Sequence, residues 1–261
     1  MKLPIFQVDA FSDRPFRGNP AAVCPLEQWL PDETMQGIAA ECNLSNTAFF
    51  VTNGEAFHLR WFTPAVEVDL CGHATLATAH VLWNHLGYSR QEIYFDTRGG
   101  RITVGQDSGR IVLHFPAWPP QHCAVDENLI PALGHQPLDV LAARDYLVVY
   151  GSEKEVRELH PDMHRLTEID RFGTVVTAPG DSCDFVSRFF APSKGVPEDP
   201  VTGSAHAMLI PYWAERLNRT SLHARQISRR SGDLACRYLG DRVTIAGHAV
   251  TFFSGEISLP D

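Results

Sequence analysis

No stretch of the 261 residues is apolar for long enough to cross a bilayer as a helix, which excludes a helical membrane protein. No CxxC pair occurs. The six cysteines stand singly at 24, 42, 71, 123, 183 and 236, so the usual zinc-ribbon and dithiol signatures are missing. Positive charge is also short: 22 Lys and Arg face 31 Asp and Glu, a net of −9. That balance argues against general affinity for nucleic acid or anionic membranes. The opening "MKLPIFQVDAF" has neither the apolar core nor the small-residue cleavage site of a secretory signal. The expectation is a cytoplasmic protein with reduced thiols. Histidine is plentiful, yet His73, His80 and His85 form no recognised ligand pattern. No metal is expected.

What the chain does have is ordinary globular composition, 44% hydrophobic and 20% charged, and an internal repeat. "RWFTPAVEVDLCGHATLATAHVLW" (60–83) resembles "RFFAPSKGVPEDPVTGSAHAMLIPYW" (188–213). Arg60, Phe62 and Pro64 match Arg188, Phe190 and Pro192 at an offset of 128, and the same offset sets Cys71 on Asp199. "LPDETM" (30–35) answers "HPDM" (160–163), and "TAFFV" (47–51) answers "TVVTA" (174–178). Further on, Arg98 and Arg110 match Arg230 and Arg242 at an offset of 132. Blocks recurring in one order at about half the chain length indicate two copies of one fold. The proline-rich "PAWPPQ" (116–121) is the natural joint, giving lobes 1–118 and 119–261.

Within each half the expected order is strand, helix, strand, helix, strand, strand. Met35, Ile38, Ala39 and Cys42 make an i, i+3, i+4, i+7 stripe, the mark of a helix covering a surface. The second helix of each half, "HATLATAHVLWNHL" or "SAHAMLIPYWAERL", is apolar or small on nearly every side and must be enclosed by protein. Strand patterns rich in aromatic and β-branched residues surround them in sequence. The expectation is an α+β fold of two pseudo-symmetric lobes. Each lobe is a mainly antiparallel sheet or open barrel wrapped around its apolar helix, and a cleft lies between the lobes.

A helix start leaves N–H groups unpaired and carries the positive end of the peptide dipoles. Small residues there let an anion reach the backbone. In the second half Asp199 reads as N-cap and Pro200 as first helical residue, ahead of Thr202, Gly203 and Ser204. In the first half Cys71 holds the matching place before Gly72, His73, Ala74 and Thr75. Taken singly, Asp199 reads as a mere cap and Cys71 as a small core residue. Taken as a pair in a duplicated chain, they read as a carboxylate and a thiol flanking one small anionic ligand. A thiol at a helix start leans towards thiolate, a better base or nucleophile.

Five motifs, "FSDRPFRGNPAAV" (11–23), "NLSNTAFF" (43–50), "DLCGHATLATA" (69–79), "GVPEDPVTGSAHA" (195–207) and "GHAVTFFSGEISL" (247–259), together resemble the PhzF family of phenazine-biosynthesis-like isomerases. That group is related to diaminopimelate epimerase and proline racemase. The resemblance implies a cofactor-independent site between two lobes and a homodimer. In phenazine-type members a glutamate moves a proton on a small cyclic amino or hydroxy acid, assisted by histidine and aspartate. Carried over, these match His73 and Asp199, with Ser204 as a ligand-contacting serine. In the epimerase relatives two proton-exchanging cysteines match Cys71 and Asp199.

The chain departs from the family pattern at a position that matters, because Asn46 stands where "NLSET" carries the glutamate. A neutral amide cannot accept a proton near pH 7, though it can hydrogen-bond a ligand. Glu41 reads as a solvated surface acid, not a substitute. The expected function is a cofactor-independent isomerase or epimerase acting on a small carboxylate by acid–base proton transfer. Catalytic candidates are Asp199, Cys71, His73 and Asn46, and the helix-start amides would stabilise an enolate-like intermediate. Gly72, Ala74, Thr202, Gly203, Ser204, Ser45 and Asn19 are expected around the ligand. For Ser45 a plain strand start, and for Asn19 a turn with Gly18 and Pro20, are the competing readings. Arg60 and Arg188 recur in both halves and are assigned to structure. The alternative is a metabolite-binding protein whose catalytic site Asn46 has disabled. A cysteine hydrolase on Cys71 and His73 is disfavoured, since side chains two apart at a helix start normally diverge.

Overall fold

The structure, a computed structural model, describes residues 1–259. In chain order the first elements are β1 (Lys2–Ala10), β2 (Asn19–Leu26), α1 (Asp32–Cys42), β3 (Asn46–Asn53), β4 (Ala56–Phe62) and β5 (Glu67–Val68). Next come α2 (Gly72–Asn84), β6 (Ile93–Thr97), β7 (Gly100–Asp107), β8 (Arg110–Pro116) and β9 (Gln121–His122). Then follow α3 (Leu129–Leu133), β10 (Asp139–Ala142), β11 (Tyr146–Val149), α4 (Glu153–Glu158), α5 (Met163–Leu166), β12 (Thr174–Pro179) and β13 (Phe185–Ala191). The chain finishes with β14 (Val196–Asp199), α6 (His206–Leu217), β15 (Ser221–Gln226), β16 (Gly232–Tyr238), β17 (Arg242–Gly247) and β18 (Ala249–Ser258). Among the described residues no helix is long and apolar enough to cross a membrane.

The fold is α+β and forms two compact units. Unit 1 holds residues 1–114 and 246–261, and unit 2 holds 115–245. A division of the linear chain at 118/119 therefore misplaces the last strand. β18 runs antiparallel to β1, from Lys2 opposite Ser258 to Ala10 opposite Ala249. Those backbone groups of β1 are satisfied by a segment almost the whole chain away, which a local reading of the joint does not reveal.

The sequence repeat is a repeat of strand pairing. In unit 1, β2 runs parallel to β3 and β3 antiparallel to β4, with Thr47 opposite Phe62. In unit 2, β11 runs parallel to β12 and β12 antiparallel to β13, with Thr174 opposite Phe190. β4 and β13 then each take a short antiparallel strand, β5 or β14, and a parallel strand beyond the helix, β6 or β15. A right-handed helical crossover is the ordinary way to join parallel neighbours. Here α2 and α6 are the helices that join them.

Both crossover helices are enclosed, as their composition requires. In α2 every residue from Gly72 to Ala79 is buried, and the helix packs on β1, β2, β3 and β18. In α6 the buried set runs from His206 to Pro211 and includes Trp213, stacked on Phe185 at 5.5 Å. By contrast α1 buries only Met35, Ile38 and Ala39, and Glu41 on the same helix is exposed.

The recurring arginines tie each unit together. Arg60 donates through Nε and Nη2 to both oxygens of Glu67 at 2.8 and 2.9 Å. Arg188 does the same to Glu198 at 2.7 and 3.0 Å, and its Nη1 reaches the carbonyls of Val156 and Leu159. These fork-to-fork pairs lock the short strand that leads to each enclosed helix.

Candidate active site

In unit 1 the local order of construction starts at Gly18. Its φ is +66°, and a Cβ there would lie 2.1 Å from the carbonyl oxygen of Ala10. Only glycine turns the chain so sharply against β1. Asn19 then opens β2, fully buried, with its side chain turned inward. Asn46 opens the parallel neighbour β3, also buried. Cys71 is the N-cap of α2 in an extended conformation, and His73 lies in the first turn.

Four of the predicted residues meet there. The Cys71 thiol donates to Asn46 Oδ1 at 3.2 Å, and its sulfur lies 3.5 Å from His73 Nδ1. Asn19 Nδ2 stands 3.1 Å from the same nitrogen. An amide nitrogen only donates, so His73 Nδ1 accepts and the ring proton sits on Nε2. Burial pushes His73 down to about 3, so the ring is neutral at physiological pH. Neither Asn46 nor His73 carries charge.

The expectation that the Cys71 and His73 side chains diverge does not hold. Cys71 precedes the helix with φ −145° and ψ 104°, so helical spacing does not govern where its side chain points. The contact is still not a thiolate–imidazolium pair, because a ring so reluctant to charge does not draw off the thiol proton. Gly72, His73 and Ala74 contribute the N–H groups of the helix start. The first main-chain bond of the helix runs from Thr75 N to Cys71 O at 3.1 Å. Asn46 Nδ2 is a buried donor with no hydrogen-bond partner among the described residues. Ser45 is half-buried one residue before β3.

Unit 2 departs from the expected cap. Asp199 is the last residue of β14, paired with Phe189, and α6 starts only at His206 with Ala205 as its N-cap. Pro200 is accordingly not its first residue. Between them the chain winds tightly, with His206, Ala207 and Met208 donating to Gly203, Ser204 and Ala205 at 3.0 to 3.1 Å. These i→i+3 bonds are a 3₁₀ start to the helix. Asp199 Oδ2 accepts instead from the Thr202 hydroxyl at 2.5 Å.

Thr202, expected at the ligand, is occupied within the protein. Its N–H donates to Gln226 Oε1 at 2.8 Å, and its carbonyl stands 2.8 Å from His206 Nδ1. That carbonyl makes Nδ1 the protonated nitrogen of His206, and burial pushes this ring down to about 4. Ser204 Oγ accepts from Arg144 Nη2 at 3.2 Å, which leaves the serine hydrogen for another acceptor. Gly203, Ser204 and Ala205 supply the N–H groups ahead of the first helical bond.

Sequence reasoning missed two residues, Gln226 and Arg144. Gln226 ends β15, far from the motif it binds, and Arg144 sits in a loop with no motif of its own. Arg144 is also held by Asp145 at 2.7 Å and lies over Trp118 and Phe172 at 5.3 and 4.5 Å. No local signal marks either residue.

The family model for phenazine biosynthesis-like proteins matches residues 8–255. The chain belongs to that family. An uncharacterized isomerase of Pseudomonas aeruginosa is 55% identical over 260 residues, 99% of this chain and 100% of the relative. A crystal structure of a PhzF-family phenazine biosynthesis protein from Enterococcus faecalis superposes with a TM-score of 0.96 at 46% identity, covering 99% of this chain and 100% of that one. A hydroxyproline epimerase from Agrobacterium vitis, solved with trans-4-hydroxy-L-proline, shares the fold at a TM-score of 0.64 and 11% identity. It covers 100% of this chain and 93% of its own, and at that identity the likeness concerns fold alone. The chain is thus a member of an isomerase family with an epimerase-like fold.

Proposed function

We propose that the protein is an isomerase that moves a proton on a small carboxylate, an amino or hydroxy acid, without a cofactor. Cys71 and Asp199 are the proton-carrying groups, and helix-start amides bind the substrate's anionic oxygens. The observation that carries this reading is the Cys71 thiol, which donates to Asn46 and lies against the neutral His73 at the start of an enclosed helix. His73 is a poor base, since its lone pair already faces Asn19 and burial opposes its protonation. Asn46 has no basic lone pair at neutral pH. The thiol is the group of the cluster left to carry a proton to or from the substrate.

Incubation with a panel of amino and hydroxy acids in D2O is the test. Native protein is expected to exchange a substrate carbon-bound hydrogen, and Cys71→Ala and Asp199→Asn are each expected to lower that exchange at least about 100-fold. Native protein that exchanges nothing across the panel overturns the proposal.

A second reading follows from Asn46 itself. The family glutamate is absent and a buried donor remains in its place, which suits a protein that binds a metabolite without turning it over. Under that reading native protein binds but does not exchange, and Asn46→Glu creates exchange.

A further inference from the structure

Asp199, Thr202 and Gln226 share a set of hydrogen bonds whose donors and acceptors can be assigned one by one. Gln226 is fully buried at the end of β15, opposite Gly232 on one side and Ser187 on the other. The Thr202 N–H can only donate, so the Gln226 atom 2.8 Å from it is the oxygen Oε1. The amide orientation follows. Nε2 then faces the Asp199 main-chain carbonyl at 2.7 Å and Thr202 Oγ1 at 3.2 Å. Both are acceptors, as that assignment requires.

The Thr202 hydroxyl thus receives one bond and has one proton to give. Asp199 Oδ2 lies 2.5 Å away. We infer that Gln226 is a positioning residue which, by orienting the Thr202 hydroxyl, holds Asp199 as a carboxylate and so makes it the proton-accepting partner of the reaction. A hydrogen bond donated to the charged form of an acid favours that form. The opposite assignment, a protonated Asp199 donating to Thr202, would leave Thr202 Oγ1 receiving two bonds and its proton with no acceptor in this set. Cys71 carries the complementary state, a thiol whose proton points at Asn46 Oδ1. The two groups are therefore unlike at rest, one ready to take a proton and one to give it.

The role assigned to Asp199 rests on the isomerase reading above, but its charge control does not. The same chain can be tested for each. Protein labelled with ¹³C at the aspartate carboxyl carbon is titrated by NMR, and Asp199 is identified by the signal lost in Asp199→Asn. Thr202→Val removes the donor at nearly constant shape and is expected to raise the Asp199 midpoint by about one pH unit, while Thr202→Ser keeps it within about 0.3. Gln226→Glu offers an acceptor where the amide donated, turns the Thr202 proton away from Asp199, and is expected to raise the midpoint at least as far. The acid limb of the pH–kcat/KM profile in D2O exchange should move with the NMR midpoint. A shifted midpoint in Thr202→Val and Gln226→Glu supports the positioning role even if native protein exchanges no substrate, in which case only the isomerase reading fails. A midpoint unmoved in folded Thr202→Val, with native exchange intact, overturns the positioning role and leaves the isomerase standing.

Discussion

The Cys71 thiol has one proton and two acceptors within reach, Asn46 Oδ1 and His73 Nδ1. Both are uncharged, so neither opposes a thiolate when the proton leaves. A carboxylate at position 46 changes that balance, because a like charge against the sulfur disfavours its ionised form. Asn46→Glu is expected to slow alkylation of Cys71 by iodoacetamide at pH 8 about tenfold, the effect of one unit on the thiol. Mass spectrometry of the Cys71 peptide reads the rate. An equal or faster rate in the variant would show that Asn46 and the sulfur do not interact. The residues of this cluster were legible in the sequence because "NLSNT" and "DLCGHAT" each place their polar groups at the first positions of an element. Asn19 was half legible. The turn beside it belongs to Gly18, which freed the asparagine for His73.

At the scale of elements, α6 carries a feature that its composition does not announce. Pro211 lies inside the helix and has no N–H for the carbonyl of Ala207. That carbonyl accepts instead from Trp118 N at 2.8 Å, in the proline-rich joint. Trp118 lies under Arg144, which reaches Ser204 at the helix start. A proline in mid-helix normally costs about 3 kcal/mol, but here the vacancy has an occupant. Pro211→Ala would restore an N–H that competes for Ala207 O. The expected result is faster hydrogen exchange at the Trp118 amide, read by NMR or mass spectrometry, and a stability gain well short of 3 kcal/mol. Unchanged protection at Trp118 would deny the coupling. The start of α2 was readable because Cys71 adjoins a uniformly enclosed helix. The start of α6 was not. Asp199 and Pro200 have the local chemistry of a cap and first turn, while the partner that holds them off the helix, Gln226, is 27 residues away from Asp199.

For the whole molecule, buried histidines set the response to acid. His73 and His206 are neutral in the folded state, pushed by burial to about 3 and about 4. Unfolded, each has the ordinary value near 6.5. Above that value neither state is protonated and stability is flat. Below it the unfolded chain takes up protons that the native state refuses, so stability falls by about 1.4 kcal/mol per pH unit for each ring until the folded values are reached. Between pH 6.5 and 5 the two together are expected to cost about 4 kcal/mol. His80, half-buried beside His85 and also lowered to about 4, acts in the same direction. Urea unfolding at pH 7 and pH 5 measures the loss, and His206→Asn should recover one histidine's share. Equal stability at the two pH values would mean that these rings charge freely when folded. The two-unit plan was visible in the repeat, including the paired Arg60 and Arg188, but the destination of the last strand was not. Nothing near "GHAVTFFSGEISL" encodes a partner at the other end of the chain.

That closing strand has a consequence for biosynthesis. Unit 2 is one uninterrupted stretch, whereas unit 1 begins at the first residue and is completed by residues 246–261. On the ribosome, the opening half of the polypeptide must wait with one side of β1 unmatched while everything after it is translated. The middle portion is complete in sequence before the strand that finishes unit 1 has been made, so the unit begun first is the last to have all its parts.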